Sequence, residues 1–460
     1  MLHERKNSVK MSKVNKEDLF ENYSVPKAVA KLAIPTVAAC LVMVLYNLAD
    51  TFFVGRLNDS LETSAVTLAA PVLLAFNAVT NLFGTGCSSM MSRALGLKDY
   101  KTVRKSAAFG FYCAVFFGLL FSLCATVFHG GLLKLLGADA TNDAQTTAYL
   151  FWTVTCGAVP SMLNVVMANL VRAEGSAMHA SIGTMSGCAL NIVLDPVFIM
   201  PWGLGMGAAG AGLATFISNC VACVYYIILV IKKRDDTFVS MNIKDFWPTK
   251  KLASEVFGVG IPASIQNLLN VTGMTIMNNF MAAYGTEAVS AMGITHKVAM
   301  VPMYISMGIT QGILPLVGYN FSSDNRARMK ETIRFTEKIA GIFMVLAATL
   351  SFMLAEPIIG LFMSNETIVE YGGAFMRGAS IAMPFLFIDF LAVGIFQACG
   401  MGGRSLVFAI LRKIVLEIPA MIILNRMFPM YGLAYAQLTA EFILAIVAFT
   451  IMEKIIKEKT

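Results

Sequence analysis

Apolar residues in this chain fall into long uninterrupted runs, and the polar residues gather between them. Runs of spanning length lie near 28–55, 63–91, 106–128, 145–171, 179–201 and 207–231, and again near 252–283, 286–317, 336–363, 371–398, 405–427 and 432–453. A helix crosses the hydrocarbon core of a bilayer with about 20 apolar residues, so each run is long enough to span. In lipid every backbone N–H and C=O must be satisfied within the segment, which makes each run a helix, and barrel strands would alternate over much shorter segments. The pattern predicts an all-α polytopic membrane protein of twelve transmembrane helices.

The second six runs repeat the first six. Ile34-Pro35 recurs as Ile261-Pro262, the stretch from Ile192 to Asp195 recurs as Ile414 to Glu417, and Gly210-x-x-x-Ala214 recurs as Gly432-x-x-x-Ala436. Lys98-Asp99-Tyr100-Lys101 after the second run is matched by Ser323-Asp324-Asn325-Arg326 after the eighth. The expected organisation is therefore an N-terminal segment 1–27, a six-helix bundle 28–231, a polar linker 232–251, a second bundle 252–453 and a tail 454–460. Six is even, so the halves are parallel repeats related by a pseudo-two-fold axis along the membrane normal, an arrangement that rocks around a central site.

Composition agrees with a membrane solvent: 57% of residues are hydrophobic, 14% are charged and the mean hydropathy is +0.70. A soluble chain carries roughly 25% charged residues. The net charge of +7 does not mark a nucleic-acid binder, because the basic residues lie in loops without interleaved aromatics. Placing the N-terminus in the cytoplasm puts 30 of the 35 Lys and Arg on the inner side and only Arg56, Lys134 and Arg426 outside. That asymmetry predicts a multi-pass protein of the inner or plasma membrane with both termini cytoplasmic. The first 27 residues have no apolar core, so no cleavable signal peptide is expected. The nine cysteines sit almost entirely in apolar runs, where free thiols act as small hydrophobes, and Cys220-x-x-Cys223 lacks partner ligands. No nucleophile, metal or phosphate-binding pattern points to an enzyme.

Acidic residues inside spans are costly and rare, so they are the candidates for function. Asp50 lies about 28 Å along its helix from Lys31, and Asp195 about 24 Å from His179, which brings both to the outer half of the membrane at similar depth. Asn47 and Asn191 sit one turn before them on the same faces. Such carboxylates, kept from bulk water, suit a proton or sodium switch. Pro196 leaves open the alternative that Asp195 merely ends a helix. Pro35, deep in the first span, is a candidate hinge or a packing kink. The second half holds Asp389, Glu417 and Glu441, candidates to line a substrate cavity and contact cargo or ion, although Arg412 and Lys413 are near enough to pair with Glu417 instead. Gln266, Asn267 and Asn270 could line a cavity or hold helices together, and Met274, Met277 and Met281 form either an adaptable apolar wall or ordinary core. Arg172-Ala-Glu-Gly175 suits a tight connection with a local ion pair.

These residues resemble the bacterial multidrug and toxic compound extrusion (MATE) transporters over about residues 28–450, most specifically at Asn47-Leu-Ala-Asp50-Thr-Phe-Phe-Val-Gly55, Arg172-Ala-Glu-Gly175, Asn191-Ile-Val-Leu-Asp195-Pro196, Gly260-Ile-Pro262 and Phe396-Gln-Ala. The resemblance implies a secondary antiporter that exports cationic, lipophilic compounds in exchange for protons or sodium, with no cofactor and acting as a monomer. It further implies ion coupling at Asp50, Asp195 and Asn191, with Thr215 and one of Asn164 or Asn169 as further polar members. Asn270 stands where NorM-type members carry a glutamate, which places the chain closer to the DinF-like and MepA-like kind and puts a second-half sodium site in doubt. The alternative is a flippase for lipid-linked sugars, which needs basic residues in its cavity to hold pyrophosphate; Lys297, Arg377, Arg412 and Lys413 are the candidates here.

Overall fold

A computed structural model describes residues 16–57, 59–138, 141–363 and 365–457. The expectations placed on residues 1–15 and 458–460 lie outside the described residues. Among the described residues, regular structure is helical throughout, with no strand. Twelve long units follow one another: α1 (Val25–Arg56), α2 (Ser60–Gly96), α3 (Tyr100–Val127), α4 (Asp143–Leu150, Phe151–Cys156 and Ala158–Ala173), α5 (Ala177–Ile199) and α6 (Gly207–Lys232) form the first half. The second half is α7 (Lys250–Ala282), α8 (Thr286–Ser322), α9 (Arg326–Met353), α10 (Glu366–Ala398), α11 (Gly402–Ile410, Leu411–Glu417 and Ile418–Met427) and α12 (Tyr431–Lys457). Eight of the described helices, and α4 taken as one bent pair, are long and apolar enough by themselves to cross a membrane.

The repeat is visible in helix boundaries. α2 and α8 start at 60 and 286 and end at 96 and 322, and α3 and α9 start at 100 and 326 and end at 127 and 353. This register corrects two expectations. The ninth span lies at Arg326–Met353 and not at 336–363, because the apolar window ran on into a separate short helix, Ala355–Gly360. The loop match is displaced by one residue, since Lys98 pairs with Asp324, both in the left-handed region at φ 58° and 56°. Asp99 and Asn325 then cap the following helices, accepting from the backbone N–H of Thr102 and Arg328. α4 and α11 are each interrupted by a π-helical turn, and α4 bends by 50° at Gly157.

The halves meet through α1 against α8 and, by the same symmetry, α2 against α7. Glycine permits both contacts. A Cβ on Gly308 would lie 2.7 Å from the Cα of Val37, and one on Gly312 would lie 2.7 Å from the Cα of Ala33. Gly260 and Gly86 play the matching part in the other pair, against the carbonyls of Leu82 and Val256. These positions fall in the parts of the helices nearest the face that carries the basic loops, hereafter the basic face. One apolar core joins both halves there, running through Leu32, Met91, Val256 and Leu316. Toward the opposite face the core divides: Val54, Ala65, Tyr149 and Ile199 belong to a first-half cluster, and Met281, Ala291, Phe375 and Leu433 to a second-half one. The molecule is therefore closed on its basic face and parted on the other.

Gly312→Leu is expected to force α1 and α8 apart at their tightest approach. Overpacking of this kind costs about 1–3 kcal/mol or more, and here it acts against the closed basic face specifically. Limited proteolysis or labelling of the basic loops should show that face becoming more accessible, and unchanged accessibility would mean that the glycine contact does not hold it shut.

Candidate functional site

α1 lies against α5, and this contact brings the leading acids together. Asp195 is fully buried, and α5 continues past it and past Pro196 to Ile199, so the side chain belongs to a helix interior and does not cap an end. Asn191, one turn earlier and 2% exposed, supplies its donor. With the Asn191 amide oriented so that its oxygen accepts from the Thr215 backbone N–H at 3.1 Å, its nitrogen donates to the two Asp195 oxygens at 2.9 and 3.3 Å. The half-buried Asp50 stands close enough for its charge to act on Asp195, and both act on Tyr149 of α4. Tyr46, one turn before Asp50, faces the same group and lies beside Thr215. The site is thus built wholly within the first half: α1 brings Tyr46 and Asp50, α4 brings Tyr149, α5 brings Asn191 and Asp195, and α6 brings Thr215.

The remaining polar candidates divide. Asn164 donates to Asn219 Oδ1 at 2.9 Å, and Asn219 donates to the Thr215 carbonyl at 2.9 Å, so Asn164 is tied into the site through a residue that the sequence does not single out. Asn169 lies near the basic face, bonded to the Val165 carbonyl and accepting from Arg172 at 3.2 Å. Asn47 donates to the Met43 carbonyl of its own helix at 3.0 Å. Tyr46 carries a signal in the sequence, four residues before Asp50. Tyr149 and Asn219 carry none, because only packing of separate helices brings them in. Among the described residues no basic side chain pairs with Asp50 or Asp195 in a salt bridge, and no group of three His, Cys, Asp or Glu is arranged to hold a metal ion.

The second half presents a different chemistry. Arg412 donates to Glu441 at 2.8 Å and Lys413 to Glu417 at 2.7 Å, all four within 8% exposure, and the Asp389 carboxyl lies against Glu441. The π-helical turn at Leu411–Glu417 carries Arg412, Lys413 and Glu417 inward. Asp389, Glu417 and Glu441 are thus packed in the protein interior, and Glu417 takes the pairing with Lys413 that the sequence offers as the alternative to contact with cargo or ion. Met277 likewise belongs to the apolar core with Met281, whereas Met274 is 49% exposed and Asn270 half-buried. Gln266 accepts from Gln397 of α10 at 3.1 Å and so ties two helices together. Pro35 is buried inside a continuous α1, where Thr36 bonds back to the Leu32 carbonyl at 2.8 Å, and both features weaken the helix at that turn.

The MatE family model matches this chain twice, over residues 35–197 and 262–423, once in each half and each time beginning at a repeated proline. The chain belongs to the MATE family. Its relatives include the multidrug export protein MepA of Staphylococcus aureus strain MRSA252, 34% identical over 94% of both chains, and the MepA of Staphylococcus saprophyticus, 32% identical over the same share. A solved structure described as an outward-facing multidrug resistance MATE family transporter of the MOP superfamily superposes with a TM-score of 0.89 at 24% identity, covering 95% of this chain and 97% of that one. This MATE protein thus has the twelve-helix, two-bundle fold, and it is a multi-pass membrane transporter of the drug-export kind and not an enzyme.

Proposed function

We propose that this transporter is an antiporter that carries lipophilic organic cations out of the cell in exchange for protons or sodium ions, with Asp50 and Asp195 as the groups that take the incoming ion. The observation that carries the reading is the environment of Asp195: a fully buried carboxylate with one amide donor, no basic partner among the described residues and a second carboxylate beside it, on the side where the halves part. An uncompensated buried carboxylate is costly, and a small cation relieves that cost. In this reading the basic face is cytoplasmic, the structure is open outward, Asn191 and Thr215 orient Asp195, and Asn164 supports Thr215 through Asn219. Pro35 is the turn at which α1 bends, and Asn270 and Met274 stand on the drug pathway.

The flippase alternative is weakened by the same structure. Three of the four basic groups it requires are already paired, Arg412 with Glu441, Lys413 with Glu417 and Arg377 with Glu356. Everted vesicles given a fluorescent organic cation in the outside medium test the proposal. Uptake is expected to follow an imposed proton or sodium gradient and to collapse when that gradient is dissipated; uptake indifferent to both gradients would overturn the antiport reading.

A further inference from the structure

On the basic face a short segment crosses the seam between the halves. Residues 16–21 are helical and lead into α1. Toward the first half, Lys16 pairs with the buried Glu174 at 2.6 Å, and Lys98 reaches Glu17 at 3.0 Å and Glu21 at 2.7 Å, while Tyr100 donates to Glu17 at 2.6 Å. Toward the second half, Tyr319 donates to Glu21 at 2.6 Å, Phe20 stacks on Tyr319 with centroids 4.9 Å apart, and Arg328 grips the segment's backbone, donating to the carbonyl of Tyr23 at 2.6 Å and to those of Phe20 and Leu19. Leu19 and Phe20 are 3% and 1% exposed, sealed into the core that joins the halves. Gly175, with φ of 86°, leaves room for them, since a Cβ there would lie 2.9 Å from the Phe20 ring.

A terminus that merely packs would rest on one half. This one is held by both, through groups at or beside the ends of α2, α3, α4, α8 and α9. Those are the elements that separate when two bundles rock about a central site. We propose that residues 16–24 are a latch on this gate: they fasten the halves together in the closed state of the basic face and must let go of one of them before the cavity opens there. The inference rests on the transport reading only for calling that face cytoplasmic. Glu21 supports it, because the hydrogen bonds from Lys98 and Tyr319 hold its carboxyl below the usual carboxylate range, against a smaller effect of burial. A depressed carboxyl contributes above its ordinary pKa and loses its contribution only as pH falls through the lowered value, so the latch is charged throughout the neutral range.

The test reads distance and needs no substrate. Spin labels on noncanonical residues at Lys101 and Lys330, both exposed and on opposite halves, leave the native cysteines in place in the full chain reconstituted into liposomes. Lys98→Glu, which sets three carboxylates against each other, and Arg328→Gln are each expected to raise the ratio of long to short separations about fivefold. Combining Lys98→Glu with Glu17→Lys and Glu21→Lys reverses every charge of the cluster and is expected to restore the parental distribution. Unchanged separations in both Lys98→Glu and Arg328→Gln overturn the proposal, and so does an opening by Lys98→Glu that the reversed segment leaves in place. A loss of drug transport in other experiments does not bear on this result, because the separations are recorded without drug or ion gradient.

Discussion

Asp195→Asn is expected to end gradient-driven accumulation of a fluorescent cation in everted vesicles while leaving a folded transporter in the membrane. The replacement is nearly isosteric and keeps an oxygen to accept from Asn191, whose amide lies 2.9 and 3.3 Å from the carboxylate oxygens, so the structural cost is about one hydrogen bond's worth, roughly 1 kcal/mol. What disappears is the ability to change charge. Each proton exchanged across one pH unit, or each sodium ion across a tenfold gradient, supplies about 1.4 kcal/mol, a factor of about ten in accumulation. The parental protein should therefore concentrate the dye up to about tenfold per ion exchanged under such a gradient, and Asp195→Asn should not concentrate it at all. Asp50→Asn should be less severe, because Asp50 is half-buried and its surroundings still reach solvent. Both amide variants retaining the parental accumulation would remove these carboxylates from the mechanism.

That expectation depends on some side chains that the amino-acid sequence alone singles out and on others that it hides. Asp50, Asp195 and Asn191 are legible because a carboxylate or amide in a spanning run is conspicuous, and because counting residues up two parallel helices gives their depth. The repeat is legible for the same reason, as fixed spacing survives where composition does not. It is a better guide to helix boundaries than apolar content, for the ninth span follows its counterpart at 100–127 and ignores the apolar stretch that extends into the next short helix. Tyr149 and Asn219 are hidden because helix faces acquire meaning only from their neighbours. The inward burial of Met277 and Glu441 is hidden for that reason too: in a protein whose solvent is lipid, apolar periodicity no longer distinguishes core from surface, and the overall moment of a helix says little about what it faces. The segment at 16–24 shows only polar residues and a few aromatics, and its importance comes from where the chain lays it.

The buried charges of the second half lead to the largest expected effect on stability. Arg412 is the counter-ion of Glu441, which is fully buried, and Asp389 adds a second carboxyl against the same group. The guanidinium also lies over the Phe390 ring at 5.1 Å, so its removal forfeits packing as well as charge. Arg412→Met leaves Glu441 without its counter-charge in the protein interior, and breaking a buried pair in this way costs about 3–5 kcal/mol. In a chain this long that is expected to lower the melting temperature of the purified protein by a few degrees. Arg412→Met combined with Glu441→Leu removes both charges and should recover most of the loss, since apolar side chains of similar size often replace a buried pair at little cost. Thermal melts of the parent, the single variant and the double variant separate two roles for the cluster. Recovery of stability together with recovery of export means that the cluster is scaffolding and that coupling resides in the first half. Recovery of stability without export means that Asp389 and its neighbours take part in transport, and a double variant as unstable as the single one would show that the pair is held for its geometry and not for the balance of its charges.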